Sequence, residues 1–325
     1  MLSISKKEGI ARMNSLQRRN TARKVFTPHQ RDNMQAYLML APMLIGFALF
    51  TIYPMLWLIQ WSWFDYNGIS TAKFIGFDNY IRAFMRDSNY WHSLLNTSFI
   101  VVIKFVLEIP LALFLAVVLN SNKKINSVFR TIFFSPTIVS TAIVGIVFFL
   151  MFEPFQGAVN QLLRSVNMID SPINWFGDKW LADIVIIIAS VWKGFGVNMI
   201  FFIMGLQNIP QDIYECADID GVTKWKKFSR ITLPMLASTG KVVMMLFIVN
   251  SIKMSDLVLV LTNGQPGGST EVVMSYTFKF FFSYGAADMV SQYGYSSALA
   301  VITAVILSIV VGLYMTLTKN VGDHY

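Results

Sequence analysis

The sequence predicts an all-α polytopic membrane protein with six transmembrane helices and a cytoplasmic helix–Gly–helix elbow. Three observations predict it. Hydrophobic residues make up 55 % of the 325-residue chain and charged residues only 14 %, against about 25 % charged in an ordinary soluble domain. Six stretches are apolar over the ~20 residues that a spanning helix needs. Apolar–polar alternation never persists through short repeated segments, as a membrane β-barrel would require. The same composition excludes intrinsic disorder and argues against a soluble enzyme.

Residues 1–35 read as a basic cytoplasmic tail. Its basic stretch, 6–31, is too long and the apolar run behind it too extended for a secretory signal. Two roles stay open: contact with anionic lipid headgroups through Arg18, Arg19, Arg23 and Lys24, or a solvated tail that only fixes orientation. The permease-like body, 36–318, carries spans at about 36–64, 94–119, 131–152, 183–206, 235–261 and 296–318. The first, third and sixth contain no charge. The second holds Lys104 and Glu108, the fourth Lys193, the fifth Lys241, Lys253 and Asp256. Trp57, Trp61, Trp63, Phe64 and Tyr66, and later Trp175, Phe176 and Trp180, fit an interfacial aromatic belt. A short C-terminal tail, 319–325, closes the chain.

Charge distribution sets the orientation. With the N-terminus inside, the tail carries eight Lys/Arg, segment 120–130 three, segment 207–234 four and the C-terminal tail one, sixteen in all; the three opposite loops hold six. That bias places both termini in the cytoplasm and accounts for the net charge of +8 without nucleic acid. A single cysteine, Cys216, excludes a disulfide framework. His29, His92 and His324 are too scattered for a metal site. No Gly-x-x-x-x-Gly-Lys-Ser/Thr phosphate loop is present, so the chain is expected to hold no cofactor and to hydrolyse no ATP.

The cytoplasmic segment 207–234 has the pattern of an elbow. Asn208 as N-cap, Pro210 near the first turn, and Asp212 and Glu215 near the positive helix end suggest one helix. Asp220-Gly221 is a turn signal. A second helix over 222–231 would carry Val222, Trp225, Phe228 and Ile231 as an apolar stripe, with Pro234 separating it from the fifth span. Such an elbow suits either headgroup contact or insertion into a protein groove.

The order of these residues resembles the loop signature of binding-protein-dependent ABC importer permeases: Glu-Ala-Ala, two residues, Asp-Gly-Ala, then Phe and Ile-x-Leu-Pro. Glu215, Ala217, Asp220, Gly221, Phe228, Ile231, Leu233 and Pro234 match in register; Cys216 and Val222 stand for alanines. Further stretches resemble the carbohydrate-uptake branch, the maltose and glycerol-phosphate importer type. These are Phe129-Arg130 through Pro136, Trp192-Lys193-Gly194-Phe195, Leu206-Gln207 with Ile209-Pro210, Leu261 through Pro266 with Thr270 (Gln265 replacing a Gly), and Gly294-Tyr295 with Ala298.

The resemblance implies a type I ABC importer permease fold and one half of a translocation pathway in a bacterial cytoplasmic membrane. Its partners would be a second permease subunit, two cytoplasmic ATPases that bind ATP and Mg, and an extracytoplasmic solute-binding protein. It implies ATPase coupling through Glu215, Ala217, Asp220, Gly221, Trp225, Phe228 and Pro234. It implies a sugar pathway near Trp192, Phe247, Asn250, Ser251 and Met254, to which the intramembrane charges Lys193, Lys253 and Asp256 are added. Gly264, Pro266 and Thr270 would meet the binding protein.

An intramembrane charge costs roughly 2.5–3.5 kcal/mol at a helix centre and reads as functional by default. Lys104 and Glu108, four apart, can pair on one helix face. Lys253 and Asp256, three apart, share a face in the same way. Lys193 and Lys253 also allow an acidic, uronate-type oligosaccharide. An ion-coupled carrier would need midplane carboxylates and repeated halves; Asp256 and Glu108 are its only candidates, and the elbow would go unexplained. An intramembrane enzyme lacks any catalytic cluster within the spans.

Overall fold

The computed structural model describes residues 28–121, 123–282 and 290–319. The basic tail through residue 27 and the C-terminal residues 320–325 lie outside the described residues. The chain divides into two compact units, 1–58 and 59–325.

In the first unit, α1 (Pro28–Phe47) passes through a π-helical turn, Ala48–Ile52, into α2 (Tyr53–Trp61), whose last three residues belong to the second unit. The helix therefore begins inside the segment expected as tail. The π turn lies just before Pro54. A proline has no N–H to donate and its ring crowds the carbonyl four residues back, so a widened turn relieves the clash.

The second unit opens with a short antiparallel hairpin, β1 (Phe64–Asp65) and β2 (Lys73–Phe74), with Phe64 opposite Phe74. The amphipathic α3 (Asp78–Met85) follows. Then α4 (Ser88–Leu119) runs 32 residues, started by Asp87, whose carboxylate accepts the Tyr90 N–H at 3.1 Å. α5 (Lys124–Ile138) and α6 (Thr141–Met151) meet at 95°. The short helix α7 (Ala158–Ser165) leads to α8 (Lys179–Gln207), capped by Asp178. The elbow helices are α9 (Gln211–Ile219) and a second run made of α10 (Lys224–Lys227), a π turn (Phe228–Thr232) and α11 (Leu233–Met235). α12 (Ala237–Ile252), α13 (Asp256–Leu261), α14 (Val273–Phe282) and α15 (Tyr293–Leu317) complete the unit.

Helix α8 sits at the centre. Half of its most apolar window is buried within the chain. Its N-terminal half packs Val185, Ile186 and Ala189 against Ile100, Val144, Phe148 and Leu257. Its C-terminal half packs Phe195, Met199 and Phe202 against Ala112, Ala116 and Val243. A third core joins α3, α4, α14 and α15 through Ala83, Tyr90, Phe280, Tyr295 and Leu299. Elsewhere α4 and α15 expose large apolar side chains, Val106, Phe114, Ile309 and Leu313 among them. Such faces suit lipid or a partner helix, because neither returns the cost of apolar hydration that water would.

Among the described residues, four helices are long and apolar enough to span a membrane, and two bent pairs raise the number to six. The differences from the expected elements have local causes. The third span breaks at Val139–Ser140, close behind Pro136. The fifth breaks at 253–255, so Lys253 and Asp256 do not share a helical face: they lie on opposite sides of the break. Asn208 ends α8 rather than capping α9, and Pro210 takes the N-cap position. The second elbow helix continues through Pro234 to Met235 because the π turn before the proline removes the clash; the chain bends by 65° at Leu236 instead.

Candidate functional site

A cavity of about 470 Å³ opens between α4, the α5–α6 junction, α8, α12 and the 253–255 break. This is within the usual range for small-molecule sites. Both broken spans contribute to it: Thr137 and Thr141 flank one break, and Lys253, Met254 and Ser255 form the other. Irregular backbone at membrane depth is tolerated where it is buried in protein or lines a cavity. Of the residues expected on the pathway, Lys193, Phe247, Asn250, Ser251, Lys253, Met254 and Asp256 line the cavity. Trp192 does not. Its ring packs 5.7 Å from Phe148.

The three lysines have different surroundings. Lys104 is buried, 3.5 Å from Glu108 Oε2, and donates to Ser251 Oγ at 3.1 Å. Its ammonium also lies 5.1 Å from the Phe247 ring centroid, within cation–π range. Lys193 donates to the Val139 carbonyl at 2.9 Å, while its own carbonyl accepts from Thr137 Oγ1. It thus serves a carbonyl that the break at 139–140 frees. Lys253 is exposed at the end of α12 and makes no side-chain hydrogen bond or ion pair among the described residues. Asp256 accepts from Ser255 Oγ at 3.0 Å, and no ion pair joins it to Lys253 among the described residues.

The opposite wall was not part of the expected pathway. Glu108 is 2 % exposed and lines the cavity. Its Oε1 accepts from Asn198 Nδ2 at 2.6 Å, whereas Oε2 has no close hydrogen-bond donor among the described residues. Gly194 makes room for it: a Cβ there would stand 2.6 Å from Oε1. Ser190 and Asn198 belong to the same wall. Sequence spacing could pair Lys104 with Glu108, but Asn198 and Gly194 come from another helix and left no local signal.

The elbow is a compact bracket. Gly221 adopts φ +68°, a conformation an L side chain rarely takes. Lys227 pairs with Asp218 across the turn, and the hydroxyls of Tyr214 and Thr232 meet at 2.9 Å. Ala217 is buried against this bracket. Glu215, Asp220 and Trp225 are exposed, and Phe228 is half-buried with its ring 5.8 Å from Trp225. Pro234 is half-buried inside the second helix run.

In the loop between α13 and α14, Gly264 and Thr270 are buried. Thr270 Oγ1 donates to Thr262 Oγ1 and to the Gln265 carbonyl. They shape the loop, Pro266 is half-buried beside them, and Gln265, Gly267 and Gly268 form its exposed tip. Behind it, Glu271 pairs with Lys279 and receives the Ser275 hydroxyl. A second polar knot escaped sequence reasoning altogether: Asp87 accepts the hydroxyls of Tyr276 and Tyr295, residues about two hundred positions away. Burial and the Asp87 carboxylate raise Tyr276 above the ordinary tyrosine range. Arg82 lies 3.8 Å from the Tyr295 ring centroid and donates to Gln292 at 2.7 Å.

Broken and unbroken spans around a cavity that carries charged, amide and hydroxyl side chains, with a helical bracket beyond it, suit a membrane transport subunit. The chain belongs to the family described as the binding-protein-dependent transport system inner membrane component, whose model matches residues 108–322. It is 34 % identical to the lactose transport system permease protein LacF of Rhizobium radiobacter, over 80 % of this chain and 88 % of that one. It is 32 % identical to the trehalose/maltose transport system permease protein MalF of Thermococcus litoralis, over 85 % and 91 %. Its fold is similar to a chain in the crystal structure of a bacterial ABC transporter involved in the import of the acidic polysaccharide alginate. There the TM-score is 0.77 at 22 % identity, covering 90 % of this chain and 98 % of that one. The protein is a multi-pass permease subunit of the ABC importer class.

Proposed function

We propose that this permease forms half of an ATP-driven import pathway for a sugar or oligosaccharide, in a bacterial cytoplasmic membrane with both termini inside. The elbow carries this reading. An exposed bracket that presents Trp225, with Gly221 at its turn, suits insertion into a groove of a cytoplasmic ATPase. ATP and Mg bind to the ATPase pair, not to this chain. A second permease completes the pathway, and a solute-binding protein docks at the outer loop around Gln265–Gly268.

The cavity supports the carbohydrate assignment. Its wall offers amides (Asn198, Asn250), hydroxyls (Thr137, Thr141, Ser190, Ser251) and one aromatic ring (Phe247). These are the groups that meet sugar hydroxyls and C–H faces. The relatives that carry lactose and trehalose/maltose names point the same way. An acidic-sugar version rests on Lys253 alone, because Lys104 and Lys193 already bond within the protein. The test is gentle purification of the tagged chain from its native membrane followed by mass spectrometry. An ATPase and a second six-span subunit should co-purify, and Gly221→Pro should lose the ATPase while still inserting. Recovery of the chain alone, active without ATP, would overturn the reading.

A further inference from the structure

We propose that Glu108 is a substrate-binding residue, the acceptor for one hydroxyl of the transported saccharide. This rests on the carbohydrate reading above. Glu108 is 2 % exposed yet lines the cavity. A carboxylate offers about four acceptor positions. Here Asn198 fills one, on Oε1, and Oε2 has no close hydrogen-bond donor among the described residues. Lys104 stands at 3.5 Å from Oε2, in ion-pair range but long for a hydrogen bond, while its ammonium also donates to Ser251 Oγ and faces the Phe247 ring. Lys104 therefore balances the charge and gives the oxygen one long contact.

The surroundings are built around that oxygen. Gly194 leaves the space the carboxylate occupies, since a Cβ there would overlap Oε1, Oε2 and Cδ at 2.6–2.9 Å. Asn198 orients the group from the same helix. A buried carboxylate held by a neighbouring lysine for structure alone would have both oxygens bonded, because a buried unsatisfied acceptor costs free energy. A buried acceptor left without a donor on a cavity-lining residue is instead matched by a donor that arrives there. Sugar hydroxyls are such donors, and a bond to a charged acceptor is stronger than one between neutral groups.

The experiment uses the complete transporter in proteoliposomes with its binding protein. Uptake of radiolabelled lactose, maltotriose, arabinotriose and alginate trisaccharide identifies a transported sugar. Monodeoxy analogues of that sugar are then compared. In the wild type, loss of one particular hydroxyl should lower uptake efficiency roughly 10- to 150-fold. Glu108→Gln should reduce that penalty to a few-fold at the same hydroxyl and leave the others unchanged. A purely structural Glu108 would instead lower uptake of every analogue alike. Glu108→Asp, which keeps the negative charge beside Lys104, serves as the second variant if the glutamine form fails to assemble. It should raise KM for the parent sugar with kcat little changed, by withdrawing the oxygen from reach. A wild-type profile flat across all hydroxyls, or a Glu108→Gln profile identical to it, overturns the assignment while leaving sugar import standing. Uptake of none of the four saccharides by a complex with active ATPase removes the carbohydrate reading and this one with it.

Discussion

Replacing Lys104 with methionine should destabilise the protein far more than replacing Lys104 and Glu108 together. Lys104 is 8 % exposed and Glu108 2 %. Methionine keeps most of the side-chain volume, so packing is nearly preserved. What is lost is the ion pair at 3.5 Å, the bond to Ser251 at 3.1 Å and the cation–π contact with Phe247. Glu108 then remains buried with Asn198 as its one donor. Removing one partner of a buried pair costs about 3–5 kcal/mol, whereas removing both in apolar or neutral form is often close to neutral. For a domain of this size that single loss corresponds to roughly 6–20 °C in Tm. Lys104→Met/Glu108→Gln should recover most of it, because glutamine still accepts from Asn198 and carries no charge. The assay is thermal unfolding of the purified protein in nanodiscs, with the four variants forming a double-mutant cycle. If Lys104→Met shifts Tm by no more than a surface substitution, or if adding Glu108→Gln brings no recovery, the two residues are not an electrostatic unit and the reasoning fails.

Lys193→Met should cost about 1.5–3 kcal/mol by leaving the Val139 carbonyl without its charged donor, read as a lowered Tm with the ratio of acidic to neutral sugar uptake unchanged. Trp225→Ala should leave Tm within about 2 °C, because the side chain is 73 % exposed, yet weaken ATPase co-purification about 30-fold or more as an interface anchor. Gly264→Ala at φ +79° brings a Cβ to 2.1 Å from Glu271 Oε1, whereas Gly267→Ala at φ +59° meets nothing within 4 Å and carries the backbone strain alone. Limited proteolysis of the 262–271 loop should therefore rise more for the first than for the second. Asp218→Ala removes a pair with Lys227 whose carboxylate is largely exposed and should change Tm by less than the equivalent of about 1 kcal/mol.

The six apolar runs and the elbow were legible because bilayer thickness and helical spacing act on local sequence. Gly221 was readable for the same reason: one turn, one residue type. The breaks at 139–140 and 253–255 were not, since hydropathy records how apolar a stretch is and not where its axis bends. Pro136 hinted at the first break; nothing comparable marks the second. Within the cavity, the fifth-span residues came from a resemblance and lie on its wall, whereas Trp192 does not. Lys104 and Glu108 were paired from their four-residue spacing alone. The contributions of Asn198, Gly194 and the Val139 carbonyl depend on how α4, α5 and α8 cross, which no single segment encodes. The Asp87 knot depends on three helices meeting over about two hundred residues of chain.

That knot has a mechanical consequence. One carboxylate starts α4 and holds a hydroxyl from α14 and another from α15, while Arg82 of α3 clasps the same tyrosine and its neighbour Gln292. Four helices are thereby riveted at one end by a single side chain and its satellites. A push arriving at that end is shared among all four instead of bending any one of them. Compliance is left to the stretches without such ties, and amide exchange should be slow around Asp87 and fast at 253–255.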